Sequence, residues 1–289
     1  MQPIAHIEQR FVDELANLYD ANEARHICFM LLEDRLGWSK TAYLLRKYEL
    51  LNEQDSAWLT EALQSLKHAK PIQYVLGHAW FMGMKLAVNE SVLIPRPETE
   101  ELVDLISNHY KDHTSQPLHI MDIGTGSGCI AIALKKIFLQ SSTYALDISA
   151  ESLDVAKQNA ASQSVDIEFI HADILEWDSY FQPDQTYDIV VSNPPYITIA
   201  EQGGMHRNVL AHEPHAALFV EENAPLLFYE HIAAFAMTHL RPAGSLYFEI
   251  NRRYGAQVCK LLHNKGFNDV QLHQDMQRTD RMVHAKKEK

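Results

Sequence analysis

Apolar side chains near the start of the chain recur every three or four positions, which is the period of an amphipathic helix. Two runs carry the pattern most clearly: Ile7, Phe11, Leu15 and Leu18, and then Trp58, Leu59, Leu63 and Leu66. Between them, RHICFMLLEDRLG predicts another helix that ends at Gly37, while Asn52 is suited to begin the last helix and Pro71 to stop it. The pattern predicts a small helical bundle over residues 1–77, with the apolar stripes as its core.

Short apolar runs on either side of Gly83, in HAWFMGMKLAVN, predict a β-hairpin. We interpret residues 78–96 as a hairpin linker. In the next stretch, LIPRPETEELVDLI, Pro97 suits the first position of a helix. Three glutamates load the first turn of that helix, where the helix dipole favours carboxylates, so capping alone explains them. Capping does not explain Arg96 between two prolines, and that residue stays a candidate for function.

From about residue 117 the chain alternates between strand-like and helix-like segments. The strand-like segments are LHIMDIG, TYALDIS, DIEFIHAD, YDIVVSN and GSLYFEI, and the helical ones are CIAIALKKIF, ESLDVAKQNA, PLLFYEHIAAFAMTHL and YGAQVCKLLHNKG. Such alternation predicts βαβ units and a mostly parallel sheet covered by helices on both faces. DVQLHQ and RMVHAK are predicted to close the chain as a strand pair, and residues 197–224 to form a long irregular segment.

Composition and charge narrow the function. Lys+Arg number 25 against 38 Asp+Glu, a formal net charge of −13, so bare nucleic acid is a poor substrate. The three cysteines are isolated, which fits a reducing compartment and gives neither a disulfide framework nor a zinc site. His212 and His215, with Glu213 between them, lack a third ligand at suitable spacing, so we expect no metal site. The start lacks a signal-peptide layout and no apolar run is long enough to span a membrane, which together predict a cytoplasmic protein.

The stretch MDIGTGSGCIAIAL places Gly124, Gly126 and Gly128 between a predicted strand and a predicted helix. Glycines there permit a tight turn and let a ligand approach the backbone at a helix N-terminus. The spacing is G-x-G-x-G rather than the G-x-G-x-x-G of dinucleotide-binding proteins, and Asp122 precedes it. A carboxylate at that point can accept a hydrogen bond from a ligand's amine, whereas it would repel a pyrophosphate.

Polar residues also stand at the ends of the next three predicted strands. Asp147 lies about 20 residues further on, where such folds bind ribose hydroxyls. Asp173 could reach an adenine amino group, and Asn193 follows the fourth strand. Because the carboxyl ends of parallel strands share one edge of the sheet, we expect these residues to converge with the glycines on one crevice. Any one of the carboxylates alone is more often a cap or loop residue.

The stretch VVSNPPYI runs an apolar strand directly into two prolines. Two consecutive prolines remove two backbone donors and fix two φ angles, so the strand must stop in a rigid, extended turn. On its own such a turn is most often only a strand end. Its place beside a predicted ligand crevice makes Asn193, Pro194, Pro195 and Tyr196 candidates for function.

Together, the Asp-x-Gly-x-Gly-x-Gly turn, the acidic end of the second strand and Asn-Pro-Pro-Tyr resemble S-adenosylmethionine-dependent methyltransferases that act on planar amino or amide nitrogens. IPRPETE, NPPYI and the N-terminal bundle resemble one family more closely, the protein glutamine methyltransferases of the HemK/PrmC type, over essentially the whole chain. The resemblance implies a class I methyltransferase fold, an α/β fold with a seven-stranded, mostly parallel, doubly wound sheet, and a catalytic domain at residues 97–289. It also implies methylation of the glutamine in the Gly-Gly-Gln motif of peptide chain release factors.

The resemblance implies a role for each motif. It places the cofactor site at Asp122, Gly124, Thr125, Gly126, Ser127, Gly128, Asp147, Asp173, Ile174 and Asn193. In the Asn-Pro-Pro-Tyr turn, Asn193 offers a side-chain oxygen, Pro194 a backbone carbonyl and Tyr196 a flat face to the planar amide of the substrate. Two acceptors held rigidly against one –NH₂ group explain the prolines. No metal or strong base is required, because the methylated nitrogen loses its proton readily.

The resemblance extends to the segment before the first strand of the predicted sheet. Arg96, Thr99 and Glu100 fall in PRPETE; Thr99 or Glu100 is expected to help close the cofactor and substrate pocket and Arg96 to brace it. Residues 197–224, which contain HEPHAAL, are expected to form a wall of the substrate site. The chain departs from the family pattern in EENAPLL after HEPHAALFV, and in Asn251 where a glycine is common. Neither departure touches the cofactor residues.

Other functions share part of this pattern. A ribosomal-protein glutamine methyltransferase has the same fold and turn, but that branch resembles IPRPETE less well. A DNA or RNA amino-methyltransferase would be expected to carry a basic recognition region, which this chain lacks. A nicotinamide-dependent oxidoreductase would need different glycine spacing, and a non-catalytic binding module would be expected to break one of the motifs. We therefore expect a monomeric enzyme that binds release factors but neither membranes nor bare nucleic acid, with its N-terminal bundle a candidate docking surface.

Overall fold

The computed structural model describes residues 3–288, which divide into two compact units. The first unit ends at Gly77 and also includes His206–His212, and the second holds the rest of the described chain. Within residues 3–288, none of the helices combines the length and the apolar character needed to span a membrane.

The first unit is a helical bundle, as the periodicity predicted. Its helices up to residue 77 are α1 (Ile4–Glu14), α2 (Ala21–Leu36), α3 (Lys40–Arg46), α4 (Glu53–Lys67) and α5 (Ile72–Leu76). Asp20 begins α2 by accepting hydrogen bonds from the backbone N–H groups of Asn22 and Glu23. Gly37 follows the end of α2 with a left-handed φ of 67°. The apolar stripes of α1, α2 and α4 meet in one buried core around Phe11.

The last helix predicted in this unit begins at the expected place and ends early. Asn52 caps α4 by accepting a hydrogen bond from the N–H of Asp55 at 2.8 Å, but the helix ends at Lys67 rather than at Pro71. Pro71 instead comes directly before α5, where a missing N–H costs little because the first N–H groups of a helix have no partner within it. The short helices α3 and α5 were not predicted, since seven and five residues are too few to display a period.

The second unit opens with the predicted hairpin and the predicted helix. The strands β1 (His78–Phe81) and β2 (Met84–Ala87) pair antiparallel, and Gly83 in the turn has a φ of 72°. The helix α6 (Pro97–His109) has Pro97 as its first residue.

A seven-stranded sheet forms the centre of the second unit. The later strands are β3 (His119–Ile123), β4 (Ser142–Asp147), β5 (Glu168–His171), β6 (Tyr187–Ser192), β7 (Ile197–Thr198), β8 (Phe219–Val220), β9 (Leu240–Glu249), β10 (Asn268–Gln274) and β11 (Asp280–Lys286). All except β7 and β8 join the sheet, in the order β10-β11-β9-β6-β3-β4-β5. Only β11 runs against the others. The strand order reverses between β3 and β6, because the chain moves out from β3 to β5 and then returns to the other side of β3.

Helices cover both faces of this sheet, which is the doubly wound arrangement predicted. The helices of the second unit after α6 are α7 (Cys129–Ile137), α8 (Ala150–Ser162), α10 (His215–Leu218), α11 (Leu227–His239) and α12 (Gly255–Asn264), with 3-10 turns at Lys111–His113, Ile174–Ser179 and Ile199–Gly204. The helix α9 (Arg207–His212) belongs to the first unit. Neighbouring residues of β3 enter different cores. Met121 packs with apolar residues of α11 and α12, whereas Ile120 packs with those of α6 and α7.

The prediction that residues 197–224 are irregular is wrong. They contain β7, a 3-10 turn, α9, α10 and β8, and β7 pairs in parallel with β8. Their middle part, His206–His212, belongs to the first unit, where the His206 ring stacks on Tyr19 and Asn208 donates a hydrogen bond to the Tyr19 hydroxyl. Elements of two to six residues leave no periodic signal in the sequence, so they could not be recognised there.

Candidate active site

Two turns leave adjacent strands of the sheet at the same edge. The parallel neighbours β3 and β6 pair their last residues, Ile123 and Ser192. The Ser192 hydroxyl also donates a hydrogen bond to the Ile123 carbonyl at 2.7 Å. The glycine turn (residues 124–128) and the Asn-Pro-Pro-Tyr turn (residues 193–196) therefore begin side by side. They lie where the strand order reverses, which is where open α/β sheets bind ligands.

The glycine turn has a backbone that other residues adopt only with strain. Gly124, Gly126 and Gly128 have φ angles of 73°, 54° and 80°. A Cβ at Gly124 or Gly126 would meet no atom within 4 Å, so the turn faces open space at these two positions. A Cβ at Gly128 would lie 3.1 Å from the Cβ of Ala156, so this glycine lets α7 pack closely against α8. The first two glycines leave the backbone of the turn open on this side, and the third serves helix packing.

Asp122 lies at the end of β3 and is fully buried. Its Oδ2 accepts hydrogen bonds from the Thr125 hydroxyl at 2.7 Å and from the Ala131 N–H at 3.2 Å, which ties the glycine turn to α7. Its Oδ1 is buried and has no hydrogen-bond partner among residues 3–288. Burial raises the pKa of Asp122 to about 7, and the nearby charge of Asp147 adds to the shift. A buried oxygen of this kind calls for a donor, which a ligand in the crevice can supply.

Asp147 supports the glycine turn from the neighbouring strand β4. Its Oδ2 accepts a hydrogen bond from the Gly126 N–H at 2.8 Å, and its Oδ1 accepts one from the Ser149 N–H at 2.9 Å. Burial raises the pKa of Asp147, although the backbone hydrogen bonds oppose the shift. Each carboxylate oxygen keeps a second lone pair, so a ribose hydroxyl can still bind there.

The remaining residues predicted for the cofactor lie around the same strand ends. Asp173 is half-buried after β5, where its Oδ1 accepts a hydrogen bond from the Leu175 N–H at 2.8 Å. Asp173 thus caps a 3-10 turn, and its contact with an adenine stays a prediction. Ile174 is buried, and the Ser127 carbonyl accepts a hydrogen bond from the Asn159 side chain at 2.9 Å. In the described part of the chain, no group of three or more His, Cys, Asp or Glu residues is placed to hold a metal ion.

The Asn-Pro-Pro-Tyr turn is held by side chains from other elements. Asn193 is half-buried, and its Nδ2 donates a hydrogen bond to the Thr99 Oγ1 at 3.3 Å. Pro194 is buried. The Tyr196 hydroxyl donates to the Glu249 Oε1 at 3.1 Å. Burial, together with the charge of Glu249, raises the pKa of Tyr196, so this hydroxyl remains a neutral donor.

Two side chains, one at the end of β9 and one just after it, support this turn. The sequence analysis assigned a role to neither of them. Glu249 ends β9, the strand beside β6; it is 2% exposed and also accepts a hydrogen bond from the Thr99 hydroxyl at 2.7 Å. Asn251, noticed only as a departure from the family pattern, donates from Nδ2 to the Tyr196 carbonyl and to the Glu201 Oε2, both at 3.0 Å. The rule that strand ends carry site residues would have found Glu249, had it been applied to this strand.

The three candidates in PRPETE go to three different places. Thr99 reaches the Asn-Pro-Pro-Tyr turn. Arg96 forms an ion pair with Glu213, with 2.5 Å between Nη2 and Oε1, and the Glu213 side chain is almost fully buried. Glu100 accepts a hydrogen bond from the Met82 N–H at 2.6 Å, so it is engaged at the β1–β2 hairpin. Sequence reasoning had considered Glu213 only as a neighbour of two histidines.

Comparisons with known proteins agree with this arrangement. The profile of the family described as a methyltransferase domain matches residues 115–288, and that of the PrmC N-terminal domain matches residues 9–77. A protein of Flavobacterium psychrophilum named release factor glutamine methyltransferase is 43% identical over 97% of this chain and 98% of its own. One of the same name from Bacteroides thetaiotaomicron is 38% identical over 94% of this chain and 95% of its own.

Among solved structures, a methyltransferase from Pyrococcus furiosus superposes with a TM-score of 0.53 at 14% identity, over 82% of this chain and 100% of its own. That likeness concerns the fold alone, and it confirms the predicted class I methyltransferase fold. The two close relatives cover nearly the whole chain, and they confirm the resemblance drawn from the motifs. This chain belongs to the family of release factor glutamine methyltransferases.

Proposed function

We propose that this protein transfers the methyl group of S-adenosylmethionine to the side-chain amide nitrogen of the glutamine in the Gly-Gly-Gln motif of peptide chain release factors. One observation carries the proposal: the Asn-Pro-Pro-Tyr turn begins beside the glycine turn, at the paired ends of β3 and β6. A clamp for a planar amide thus starts next to a site for a methyl donor. The names of the relatives, up to 43% identical over nearly the whole chain, support the choice of substrate.

The residues at the glycine turn fit S-adenosylmethionine, which supplies an electrophilic methyl group when bound. The free Oδ1 of Asp122 can accept a hydrogen bond from the amino group of the methionine part. The open space in front of Gly124 and Gly126 leaves room for a ligand against the backbone. Asp147 has lone pairs left for a ribose hydroxyl, and Asp173 can bind the adenine amino group. We infer no metal in this reaction, because the methyl group is already activated by its sulfonium.

The Asn-Pro-Pro-Tyr turn fits the other reactant. A glutamine amide nitrogen is a poor nucleophile because its lone pair is delocalised into the carbonyl. The enzyme therefore has to hold that nitrogen in line with the methyl group and stabilise the charge that develops on it. The Asn193 Oδ1 and the Pro194 carbonyl are two acceptors for the two N–H bonds of the amide. The Tyr196 ring supplies a flat surface for the amide plane.

Removal of the proton from the methylated nitrogen requires no strongly basic side chain. Once the nitrogen carries the methyl group, its proton becomes strongly acidic and leaves readily. The two carbonyl oxygens that hold the amide can pass the proton to water. The chain's own contribution is therefore to orient the amide and to stabilise the developing charge.

The proposal is tested by methyl transfer from radiolabelled S-adenosylmethionine. The purified protein is incubated separately with a release factor, with the same factor carrying Gly-Gly-Ala, with a ribosomal protein that other enzymes methylate on glutamine, and with duplex DNA. Asn193→Ala is expected to lower transfer by on the order of 100- to 1,000-fold, because it removes an acceptor used in the transition state. Asn268→Ala, at an exposed asparagine on β10, is the matched control and is expected to retain activity.

Label on the wild-type release factor alone, lost with the Gly-Gly-Ala factor and with Asn193→Ala, is the expected result. Label on the ribosomal protein or on DNA would keep the methyltransferase and overturn the release factor as its substrate. Transfer to the Gly-Gly-Ala factor would overturn the glutamine as the target.

We also propose that residues 1–77 dock the release factor outside its Gly-Gly-Gln tip. Apolar side chains stand exposed on α3 and just after it, with Leu44, Leu45 and Tyr48 at 57%, 81% and 73% exposure. Exposed apolar side chains grouped in this way are typical of protein-binding surfaces. The Lys47 ammonium lies 5.0 Å from the centre of the Tyr48 ring, which adds positive charge to the group.

Leu45→Glu tests the docking surface. It is expected to raise KM for the whole release factor several-fold, about 1 kcal/mol of binding, and to leave methylation of a short Gly-Gly-Gln peptide unchanged. Leu139→Glu is the matched control, because Leu139 is 73% exposed and lies in the second unit. An unchanged KM for the whole factor in Leu45→Glu would contradict the docking role.

A further inference from the structure

A continuous line of hydrogen bonds runs from the Asn-Pro-Pro-Tyr turn to a buried carboxylate. The Asn193 Nδ2 donates to the Thr99 Oγ1 at 3.3 Å, and the Thr99 hydroxyl donates to the Glu249 Oε2 at 2.7 Å. The other oxygen of this carboxylate, Oε1, accepts a hydrogen bond from the Tyr196 hydroxyl at 3.1 Å. Thr99 and Glu249 are 3% and 2% exposed. One carboxylate therefore contacts both ends of the turn, directly or through one hydroxyl.

The direction of these hydrogen bonds determines how the Asn193 amide is oriented. An ionised carboxylate can only accept hydrogen bonds, so the Thr99 hydroxyl must donate its single proton to the hydrogen bond with Glu249. The Thr99 oxygen can then only accept from Asn193, which forces the –NH₂ side of that amide toward Thr99. An asparagine amide has two ends of similar shape and opposite polarity. Without this constraint, either end of the Asn193 amide could face the substrate.

We propose that Glu249 is a positioning residue of the methyl transfer: through Thr99 it fixes which way the Asn193 amide points, and directly it holds the Tyr196 ring. With Nδ2 turned to Thr99, the Asn193 Oδ1 is left to accept an N–H bond of the substrate amide. This inference rests on the proposed function, because it explains how the acceptor required there is oriented. A flipped amide would present a donor to a donor and oppose the reaction.

The protein surroundings keep Glu249 in this role. Burial raises the pKa of Glu249, while hydrogen bonds from Thr99 and Tyr196 and the charge of Arg281 favour its ionised form. The Glu249 carbonyl also accepts a hydrogen bond from the Tyr229 hydroxyl of α11 at 3.4 Å. Thr99 comes from α6 and Tyr196 from the chain after β6, so three parts of the second unit meet at the end of β9. Such outer residues preserve the geometry that the reacting groups require.

Steady-state kinetics of Thr99→Val and Thr99→Ser test the inference. Valine has nearly the shape of threonine but cannot accept from Asn193, so kcat is expected to fall on the order of tenfold, the effect of losing about one hydrogen bond in the transition state. KM for the release factor and the affinity for S-adenosylmethionine are expected to stay unchanged. Thr99→Ser keeps the hydroxyl and is expected to restore kcat. Thr143→Val, at a buried threonine of β4 bonded to Ser141, is the matched control and is expected to keep wild-type kinetics.

A second comparison separates positioning from general support. If Thr99 acts through Asn193, then Thr99→Val costs nothing further in the Asn193→Ala background, measured as single-turnover transfer of label. An equal loss in both backgrounds would overturn the inference, as would a wild-type kcat in Thr99→Val. Thr99→Ala removes the same acceptor and provides the same test should Thr99→Val fold poorly, as judged by thermal unfolding. Full activity of Asn193→Ala itself would overturn the proposed clamp instead, so the two failures are distinguishable.

Discussion

The two turns at the candidate site are built in different ways. The glycine turn is stabilised by its own strand and by the neighbouring strand β4: Asp122 binds Thr125 and Ala131, three and nine residues away, and Asp147 binds the Gly126 N–H, 21 residues away. The Asn-Pro-Pro-Tyr turn depends on distant residues: Asn193 binds Thr99, 94 residues away, and Tyr196 binds Glu249, 53 residues away. The first turn therefore needs only β3, β4 and α7, whereas the second also needs α6 and β9, which lie further away in the chain.

The two turns also differ in whether the buried carboxylate beside each has hydrogen-bond partners for both of its oxygens. Asp122 is buried with one oxygen that has no partner among residues 3–288, while both oxygens of the equally buried Glu249 accept hydrogen bonds. A ligand can complete the hydrogen bonds of Asp122, whereas the protein itself completes those of Glu249. Changes in the glycine turn should therefore appear mainly as lost cofactor affinity, and changes around the Asn-Pro-Pro-Tyr turn as lost turnover or stability.

The largest effect expected on cofactor binding is that of Gly126→Val. The backbone φ of 54° is unfavourable for valine, and its side chain would fill the open space in front of the turn. We expect the affinity for S-adenosylmethionine, measured by calorimetry, to fall by about 100-fold, close to 3 kcal/mol. Gly37→Val is the matched control, because Gly37 has a similar φ of 67° and equal free space but lies in the first unit. Wild-type affinity in Gly126→Val would contradict a cofactor site at this turn.

The two turns also differ in how far they could be predicted from the sequence. The glycine turn, Asp122 and Asp147 were recognisable, because the residues that make the turn are close together in the chain and each follows a strand with a clear apolar pattern. The partners of the Asn-Pro-Pro-Tyr turn were not, because Glu249 is joined to it only through the pairing of β9 with β6. Thr99 was predicted only through family resemblance. Elements as short as α9 carry no period at all, so the structure of residues 197–224 was predicted wrongly.

The second prediction concerns the ion pair that fixes the HEPH segment to PRPETE. Arg96→Met is expected to lower the free energy of unfolding by about 2 kcal/mol, since it leaves the almost fully buried Glu213 without its cation. The value is set below that of a fully buried pair because the Arg96 side chain is about a third exposed. The double variant Arg96→Met with Glu213→Met should recover part of the loss in chemical denaturation. Strict additivity of the two single variants would show that the pair contributes nothing.

The third prediction uses the free oxygen of Asp122. With its pKa raised to about 7, Asp122 is ionised at pH 8 and buried at a cost, so the protein without ligand loses stability as the pH rises from about 4 to about 7. Asp122→Asn should therefore raise the free energy of unfolding at pH 8 by about 1–2 kcal/mol, with the gain fading as the pH falls from about 7 to about 4. The same variant should bind S-adenosylmethionine about tenfold more weakly, because it loses the carboxylate that accepts from an amine.

Thermal unfolding across the pH range, with and without ligand, measures both effects of Asp122→Asn. Asp154→Asn, at an exposed aspartate paired with Lys157, is the control and should show neither effect. A stability difference that does not depend on pH would contradict the role given to the Asp122 charge.

The smallest expected effect tests how many supports the Asn-Pro-Pro-Tyr turn needs. Asn251→Gly removes the hydrogen bonds to the Tyr196 carbonyl and to Glu201. Because Glu249 still holds the Tyr196 hydroxyl, we expect kcat to fall only roughly threefold, with KM unchanged. Combined with Thr99→Val, the losses should exceed their product if both residues hold one rigid turn. A tenfold or larger loss of kcat in Asn251→Gly alone would show that Asn251, rather than Glu249, is the main support of the turn. The rigidity of the turn would then come chiefly from its contacts with the segment after β9.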